Sequence, residues 1–320
     1  MSDEFAVDER DSGRRLIQAL MDRRPLTPEV AMRNAIETGR IRVNDKAAEP
    51  RQILRKGDRV EVDPLAWDKD VSEPLPDVIY EDDSVLVVNK PAGLTVVRER
   101  WNLACPFLDG ILRRLRETRG EAPAERYRPR LVHRLDRDTT GAVIVALTPD
   151  AERALCEQFR NHTVRKEYLA LVHGSPAEDH GEVRAPIEAH PSDKTRMQIA
   201  MRGGKPSRTL FEVGERFRGW TLVRCRAVSG RRHQVRIHMA HIGLPLVGDA
   251  PYGGAPLFLS EFKRGYKAKP DRPEKPILDR AALHAWTLEF AHDTRDLISV
   301  EAPLPKDFER ALKALRKWGR

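Results

Sequence analysis

Cysteine is scarce in this chain: Cys105, Cys156 and Cys225 are the only three among 320 residues, odd in number and far apart. That excludes a disulfide framework and a paired-cysteine zinc knuckle, and it suits a reducing compartment. The three thiols are expected to serve as small buried hydrophobes. Long apolar runs are also missing; none approaches the roughly 20 residues a membrane-spanning helix needs. The start, "MSDEFAVDERDSG", is polar and acidic, unlike a signal or transit peptide. A soluble, cytoplasmic protein with no membrane partner is the expectation. No Gly-x-Ser-x-Gly occurs, which argues against a serine hydrolase. The glycine pairs at 203–204 and 253–254 match no phosphate-binding loop, and there is no internal repeat.

What the chain does carry is an excess of positive charge, 57 Lys+Arg against 49 Asp+Glu for a net +8. The excess tilts towards a polyanionic partner, nucleic acid before membrane. Hydrophobic residues at 40% of this length allow one large domain and a small one. Residues 1–12 read as a flexible leader. Residues 13–62 read as a small module, with helical patterning followed by short strands in "GRIRVNDKAAEPRQILRKGDRVEV". The proline-bearing "DPLAWDKDVSEPLP", 63–76, reads as a linker, and 77–320 as the main domain. There, "VIYEDDSVLVVNKPAG" predicts two strands around an acidic turn, and 103–118 an amphipathic helix. Thr148-Pro149 predicts a helix start, running to about Arg160. Strands are expected over "RKEYLALVHG" and near 182–188, 195–201, 208–217, 220–228 and 282–290, with a closing helix over 306–318. Strands outnumber helices, so the fold class is α+β around a mainly antiparallel sheet. The basic, aperiodic 263–275 reads as a solvated insertion or as a loop that touches phosphates.

Three segments could carry chemistry. "HRLDRDTTG", 133–141, sets Asp136 between Arg134 and Arg137, directly ahead of the apolar strand "AVIVALT". Asp136 is therefore expected at a sheet edge facing a cleft, with Asp138 as a solvated neighbour. "SGRRHQVRIHMAHIGLPLVGDAPYGG", 229–254, crowds Arg231, Arg232, His233, Gln234, Arg236, His238 and His241 beside turns rich in glycine and proline. Tyr168 on its strand is the third, although strand tyrosines usually serve cores. Metal binding is disfavoured, because His233, His238 and His241 lack a zinc-type spacing and the nearby arginines would repel a cation.

"HRLDRDTTG" resembles the His-Arg-Leu-Asp-x-x-Thr-Ser-Gly signature of the RluA-type family of pseudouridine synthases, with Thr140 where serine is usual. "VLVVNKPAGLTV", "RKEYLALVHG", "GRRHQVRIHMAHIGLPLVGDAPYG" and "ALHAWTLEF" are similar to further family motifs in the family's order, over about residues 78–315. The first unit resembles the RNA-binding module named for ribosomal small-subunit protein S-four, through "GRIRVND" and "KGDRVEV"; its "RRLIQALMDRRPLTPEV" departs from that module's usual helix start.

The resemblance implies a pseudouridine synthase fold and a cofactor-free, metal-free isomerisation of uridine in structured RNA. Large-subunit ribosomal RNA is the expected substrate, with transfer RNA as the alternative and a monomer as the default. Asp136 falls on the family's catalytic aspartate, Tyr168 on its tyrosine and Arg231 on its partner arginine, which implies a buried Asp136–Arg231 pair. A carboxylate in a water-poor pocket protonates unless a close cation opposes burial. His133, Arg134, Leu135, Thr139, Thr140, His233, Gln234 and Arg236 are the expected substrate-binding residues. Arg134 is expected to fill the space that a flipped uridine leaves. Two other classes stay open on the sequence: a silent RNA-binding or assembly factor of the same fold, and an RNA glycosidase, which would need paired carboxylates.

Overall fold

The computed structural model describes residues 3–23, 29–37, 39–49, 51–63, 77–96, 106–120, 129–193, 195–267, 273–292 and 297–320. These fall into two compact units, one drawn from 1–76 and 95–129, the other from 77–94 and 130–320.

In the first unit, β1 (Asp3–Ala6), β2 (Ile41–Val43), β3 (Lys46–Ala47) and β4 (Arg59–Val62) form a sheet in the order β1-β4-β2-β3. Helices α1 (Leu16–Arg23) and α2 (Glu29–Glu37) accompany it. Leu16, Leu20, Met32, Ile36, Ile41, Leu54 and Val60 close one core. The turn Asn44-Asp45 has positive φ at both residues, 52° and 64°, the backbone a tight hairpin between β2 and β3 demands. The expected flexible leader is corrected here. Asp3–Ala6 pairs antiparallel with β4, Asp3 opposite Val62, Val7 is buried, and Arg23 lies 4.1 Å over the Phe5 ring. The apolar stretch Phe5-Ala6-Val7 between Glu4 and Asp8 is too short, and lacks the alternation, to announce a strand. Helix α3 (Pro106–Arg119) buries Phe107, Ile111 and Leu115 as its stripe predicts, yet it groups with the first unit rather than the second. Leu103 and most of the linker, 64–76, lie outside the described residues.

The second unit is built on a ten-stranded sheet. Its strands are β5 (Asp77–Glu81), β6 (Val85–Lys90), β7 (Arg130–Leu131), β8 (Thr140–Ala146), β9 (Arg165–His173), β10 (His180–Arg184), β13 (Arg208–Phe217), β14 (Trp220–Ala227), β15 (Leu283–Ala291) and β16 (Leu297–Glu301). The order is β10-β13-β14-β9-β15-β8-β6-β5, with β16 on β15 and β7 on β8. All pairings are antiparallel except β8 with β15. The short β11 (Ile187–Ala189) and β12 (Met197–Ile199) pair separately. The fold is α+β with a mixed, mainly antiparallel sheet.

Strand β8, "TGAVIVA", is buried at every position, as an unbroken apolar run requires when both sheet faces are covered. Its Gly141 has φ +111°, and a Cβ there would meet the Ala285 carbonyl oxygen at 2.1 Å; only glycine lets β8 and β15 approach at this point. Thr148 then caps α4 (Pro149–Arg160), its hydroxyl accepting from the Ala151 N–H at 3.2 Å.

Alternation along β9 sorts the two faces. Leu169 and Leu171 pack with Leu222, Val247 and the apolar side of α6 (Lys306–Trp318), where Phe308, Leu312 and Leu315 are buried. Each such side chain contributes about 1.5–3 kcal/mol. Ala170 and Val172 pack on the other face with Val235 and Met239 of α5 (Gln234–His241). Lys166 and Tyr168 share that second parity. In the basic insertion, Lys263 lies 4.9 Å from the Trp318 ring and Glu274 accepts from the Ser260 N–H; residues 268–272 lie outside the described residues.

Candidate active site

The turn after β7 delivers Asp136, and three separate elements fix that turn. Lys90, the last residue of β6, is fully buried and donates from Nζ to the carbonyls of Pro91, Arg137 and Thr139, each at 2.8 Å. Gly93 N–H donates to the Arg137 carbonyl at 2.9 Å, and Arg137 Nε returns a bond to the Gly93 carbonyl at 3.1 Å. Arg280, paired with Asp307 at 2.7 Å, donates to the Asp138 carbonyl at 2.9 Å. Burial pulls the Lys90 ammonium down to about 7, opposed by Asp138. Lys90→Met, which keeps the stem and removes the donors, takes a hydrogen bond from three carbonyls and leaves that of Arg137 with the Gly93 N–H alone. A loss on the order of 3 kcal/mol or more is expected, read as a lower denaturant midpoint; an unchanged midpoint would show that the ammonium is not what holds the turn.

Asp136 is 15% exposed, with Arg236 Nη1 at 3.3 Å from one oxygen and His233 Nε2 at 3.8 Å from the other. The implied Asp136–Arg231 pair is therefore corrected. Arg231 points to the Pro206 carbonyl, Nε to O 3.4 Å. It precedes α5, whereas Arg236 lies on the helix, three residues after His233, so both reach the carboxylate from one side. The Arg236 guanidinium also forks onto the fully buried Asp249 at 2.8 and 2.7 Å. Burial works against its charge, but Asp249 and then Asp136 outweigh burial and hold it above its ordinary value.

His233 takes a left-handed backbone conformation, φ 56°, a strained position for a non-glycine residue. Its Nδ1 lies 2.7 Å from the Tyr252 hydroxyl, which accepts from the Met197 N–H. With the hydroxyl donating to Nδ1, the neutral imidazole carries its own proton on Nε2, the nitrogen that faces Asp136. Burial lowers His233 to about 4, so at neutral pH Arg236, not this imidazole, supplies the positive charge. Tyr168 is partly buried; burial, then Asp136, keeps its hydroxyl protonated.

A cavity of about 450 Å³ opens here, lined by Asp136, Tyr168, His133, Arg134, Leu135 and Thr139 together with Arg160, Lys166, Arg231, Arg232, His233 and Gln234. Among the described residues Asp136 is the only carboxylate in that wall. Asp138 is exposed and outside it, so no carboxylate pair flanks a bond as a glycosidase requires.

Two expected substrate contacts are corrected in kind. Thr140 is buried, and its hydroxyl donates to His284 Nδ1 at 2.8 Å while His284 Nε2 donates to the Ala302 carbonyl at 3.1 Å. Gln234 spends its carbonyl on Ser229 Oγ and the Arg231 N–H, and its amide on the Arg208 carbonyl and Thr209 Oγ1. Both are struts. His238 is another, held between Thr209 Oγ1 at 2.8 Å and the Ala185 carbonyl at 3.0 Å. His133 stacks on Phe159 at 4.7 Å and accepts from the Ile144 N–H at Nε2; burial, then Lys166, lowers it to about 3. Sequence reading missed Lys90, Asp249 and His284 as supports of the site. The GDAPYG segment did contain Asp249, but nothing local shows that an arginine reaches it.

Burial lowers His284 to about 4 and places His133 and His233 at about 3 and 4, against about 6.5 in the unfolded chain. Below pH 6.5 the unfolded chain binds more protons, so stability present above that pH is lost as pH falls towards 4. Each histidine contributes a slope of up to about 1.4 kcal/mol per pH unit. Urea midpoints at pH 7 and pH 5 should therefore differ, the acid one lower; equal midpoints would contradict neutral burial of these rings.

An anion matched by one largely buried arginine, in a cavity whose other charged side chains among the described residues are Arg134, Arg160, Lys166, Arg231 and Arg232, suits an enzyme that modifies nucleic acid. The family model described as RNA pseudouridylate synthase matches residues 84–241. A relative named ribosomal large subunit pseudouridine synthase D, from Xylella fastidiosa, is 37% identical over 335 residues, covering 99% of this chain and 96% of its own. One named ribosomal large subunit pseudouridine synthase C, from Salmonella typhi, is 36% identical over 326 residues, covering 97% and 96%. In fold, the chain is similar to the solved human RNA pseudouridylate synthase domain containing 4, with a TM-score of 0.56 at 23% identity over 75% of this chain and 92% of that one. The chain belongs to the RluA-type family of RNA pseudouridine synthases. It is an isomerase that converts uridine to pseudouridine in RNA.

Proposed function

We propose that the enzyme isomerises uridines of large-subunit ribosomal RNA through Asp136, on a uridine flipped out of its stack into the cavity. The observation that carries the Asp136 reading is its position as the sole carboxylate of the cavity wall among the described residues, opposite Arg236 and beside Tyr168. Tyr168 would stack on the uracil and stand ready near carbon 5. The names of the relatives support the ribosomal substrate. No atom is gained or lost in the reaction, so product RNA keeps its mass.

Flipping costs a few kcal/mol, less in a loop than in a duplex. Arg134 is exposed at the cavity's edge, and its flat guanidinium can stack in the vacated space. Arg134→Ala should bind RNA with nearly unchanged affinity and turn over about tenfold more slowly or worse; unchanged turnover would remove this role. The first unit, with Arg42 and Lys46 exposed on its sheet, is proposed to add RNA affinity as an S-four-like module. The purified enzyme should form pseudouridine in large-subunit ribosomal transcripts and leave transfer RNA unmodified. Modification of transfer RNA alone would overturn the substrate assignment.

A further inference from the structure

The cavity holds a cation that the Asp136–Arg236 pair leaves unused. Lys166 stands on β9 two residues before Tyr168, so both side chains leave the same face of the strand. It is 8% exposed and lines the cavity. Its Nζ lies 5.4 Å from the Phe159 ring centroid, and a Cβ on Gly230 would come within 3.7 Å of it. Among the described residues no carboxylate pairs with it. Burial alone acts on the ammonium and draws it below its ordinary value. His133 offers no counter-charge, being neutral with Nε2 occupied by Ile144. A buried ammonium without an acceptor is destabilising, so its presence asks for a ligand that supplies one. In the same wall Thr139 Oγ1 is buried with no hydrogen-bond partner.

We infer that Lys166 contacts the base of the bound uridine, donating from Nζ to a uracil carbonyl oxygen and balancing the charge the base carries while detached from the ribose. This rests on the reading of the site proposed above. When the bond from C1′ to N1 breaks, its electron pair leaves with N1 and conjugation spreads the charge over O2 and O4. After the base turns, C5 supplies the pair for the new bond to C1′. The C5 proton is then removed and N1 ends protonated, so the composition is unchanged. A donor aimed at those oxygens binds most strongly when their charge is greatest, which is the condition for accelerating the step. The sugar carbon then lies at the carboxylate and the outer edge of the base at the ammonium. A phosphate contact would instead belong on the exposed rim, where Arg134 stands.

Lys166→Met and Lys166→Arg test this in the full-length enzyme, with a large-subunit ribosomal transcript as the probe. Lys166→Met should lower the single-turnover rate of pseudouridine formation about 100-fold. It should keep the RNA Kd within about threefold and the slope of log Kd against log salt unchanged. Its melting temperature should rise, because an unpaired buried charge has been removed, and Lys166→Arg should recover part of the rate. A weakened Kd with a salt slope reduced by about 1 would mark a phosphate contact and overturn the inference. So would an unchanged rate, or a fall in melting temperature. Wild-type enzyme inactive on every RNA overturns the reading of the site as a whole, whereas an active wild type with an equally active Lys166→Met overturns Lys166 alone.

Discussion

Arg236→Ala should damage both stability and turnover, and Arg231→Ala neither to a comparable degree. The Arg236 side chain is 12% exposed and serves two carboxylates at once, Asp249 at 0% and Asp136 at 15% exposure. Removing it leaves both without a counter-charge in a poorly solvated place, a cost on the order of 3–5 kcal/mol. Turnover should fall about 100-fold or more among molecules that remain folded, since the carboxylate loses the charge that orients it. Arg236→Lys keeps the charge but cannot fork, so it should lie between. Arg231 makes a single long bond to an exposed carbonyl, and its truncation should shift stability by less than about 0.5 kcal/mol. Denaturant melts and single-turnover rates of the three variants decide the matter; the reverse ranking would restore Arg231 as the partner.

Asp136→Asn should abolish turnover while sparing the fold. The amide matches the carboxylate in volume, the turn is held by Lys90, Gly93 and Arg280 rather than by this side chain, and Arg236 keeps Asp249. A neutral amide is a poor nucleophile and a poor base, so the rate should drop by about 10⁴-fold or more, within the range by which enzymes exceed uncatalysed reactions. RNA affinity should hold or tighten, because one negative charge has left a cation-lined cavity. Purified Asp136→Asn retaining more than a few per cent of the wild-type rate would contradict the assignment.

Much of the second unit can be read from its sequence, because its signals are local and strong. The all-apolar run of β8 demands a central strand, and the alternation in "RKEYLALVHG" sorts Tyr168, Ala170 and Val172 from Leu169 and Leu171 as the packing does. The polar cluster ahead of β8 marks Asp136 without any structure. Helix α5 escaped for a physical reason. Gln234, Val235, Ile237, His238 and Met239 are all buried, so it lacks the polar stripe that betrays an amphipathic helix. Without that helix, Arg231 and Arg236 are two arginines in one turn-rich stretch. With it, His233 and Arg236 fall on one side. The polar struts Lys90, Thr140, Gln234 and His284 each make at least one bond to a partner remote in the chain, in three of the four to a main-chain carbonyl; sequence pattern carries little trace of such contacts. The unit to which α3 belongs is likewise set by tertiary contacts and not by its own stripe.

The most direct test is pseudouridine mapping of ribosomal and transfer RNA from three strains: with the gene, without it, and with Asp136→Asn in its place. The account predicts at least one site in large-subunit ribosomal RNA that is present in the first strain and lost from both others. A site that vanishes on deletion but persists with Asp136→Asn would contradict it, and would mean that the protein acts by binding RNA rather than through this carboxylate.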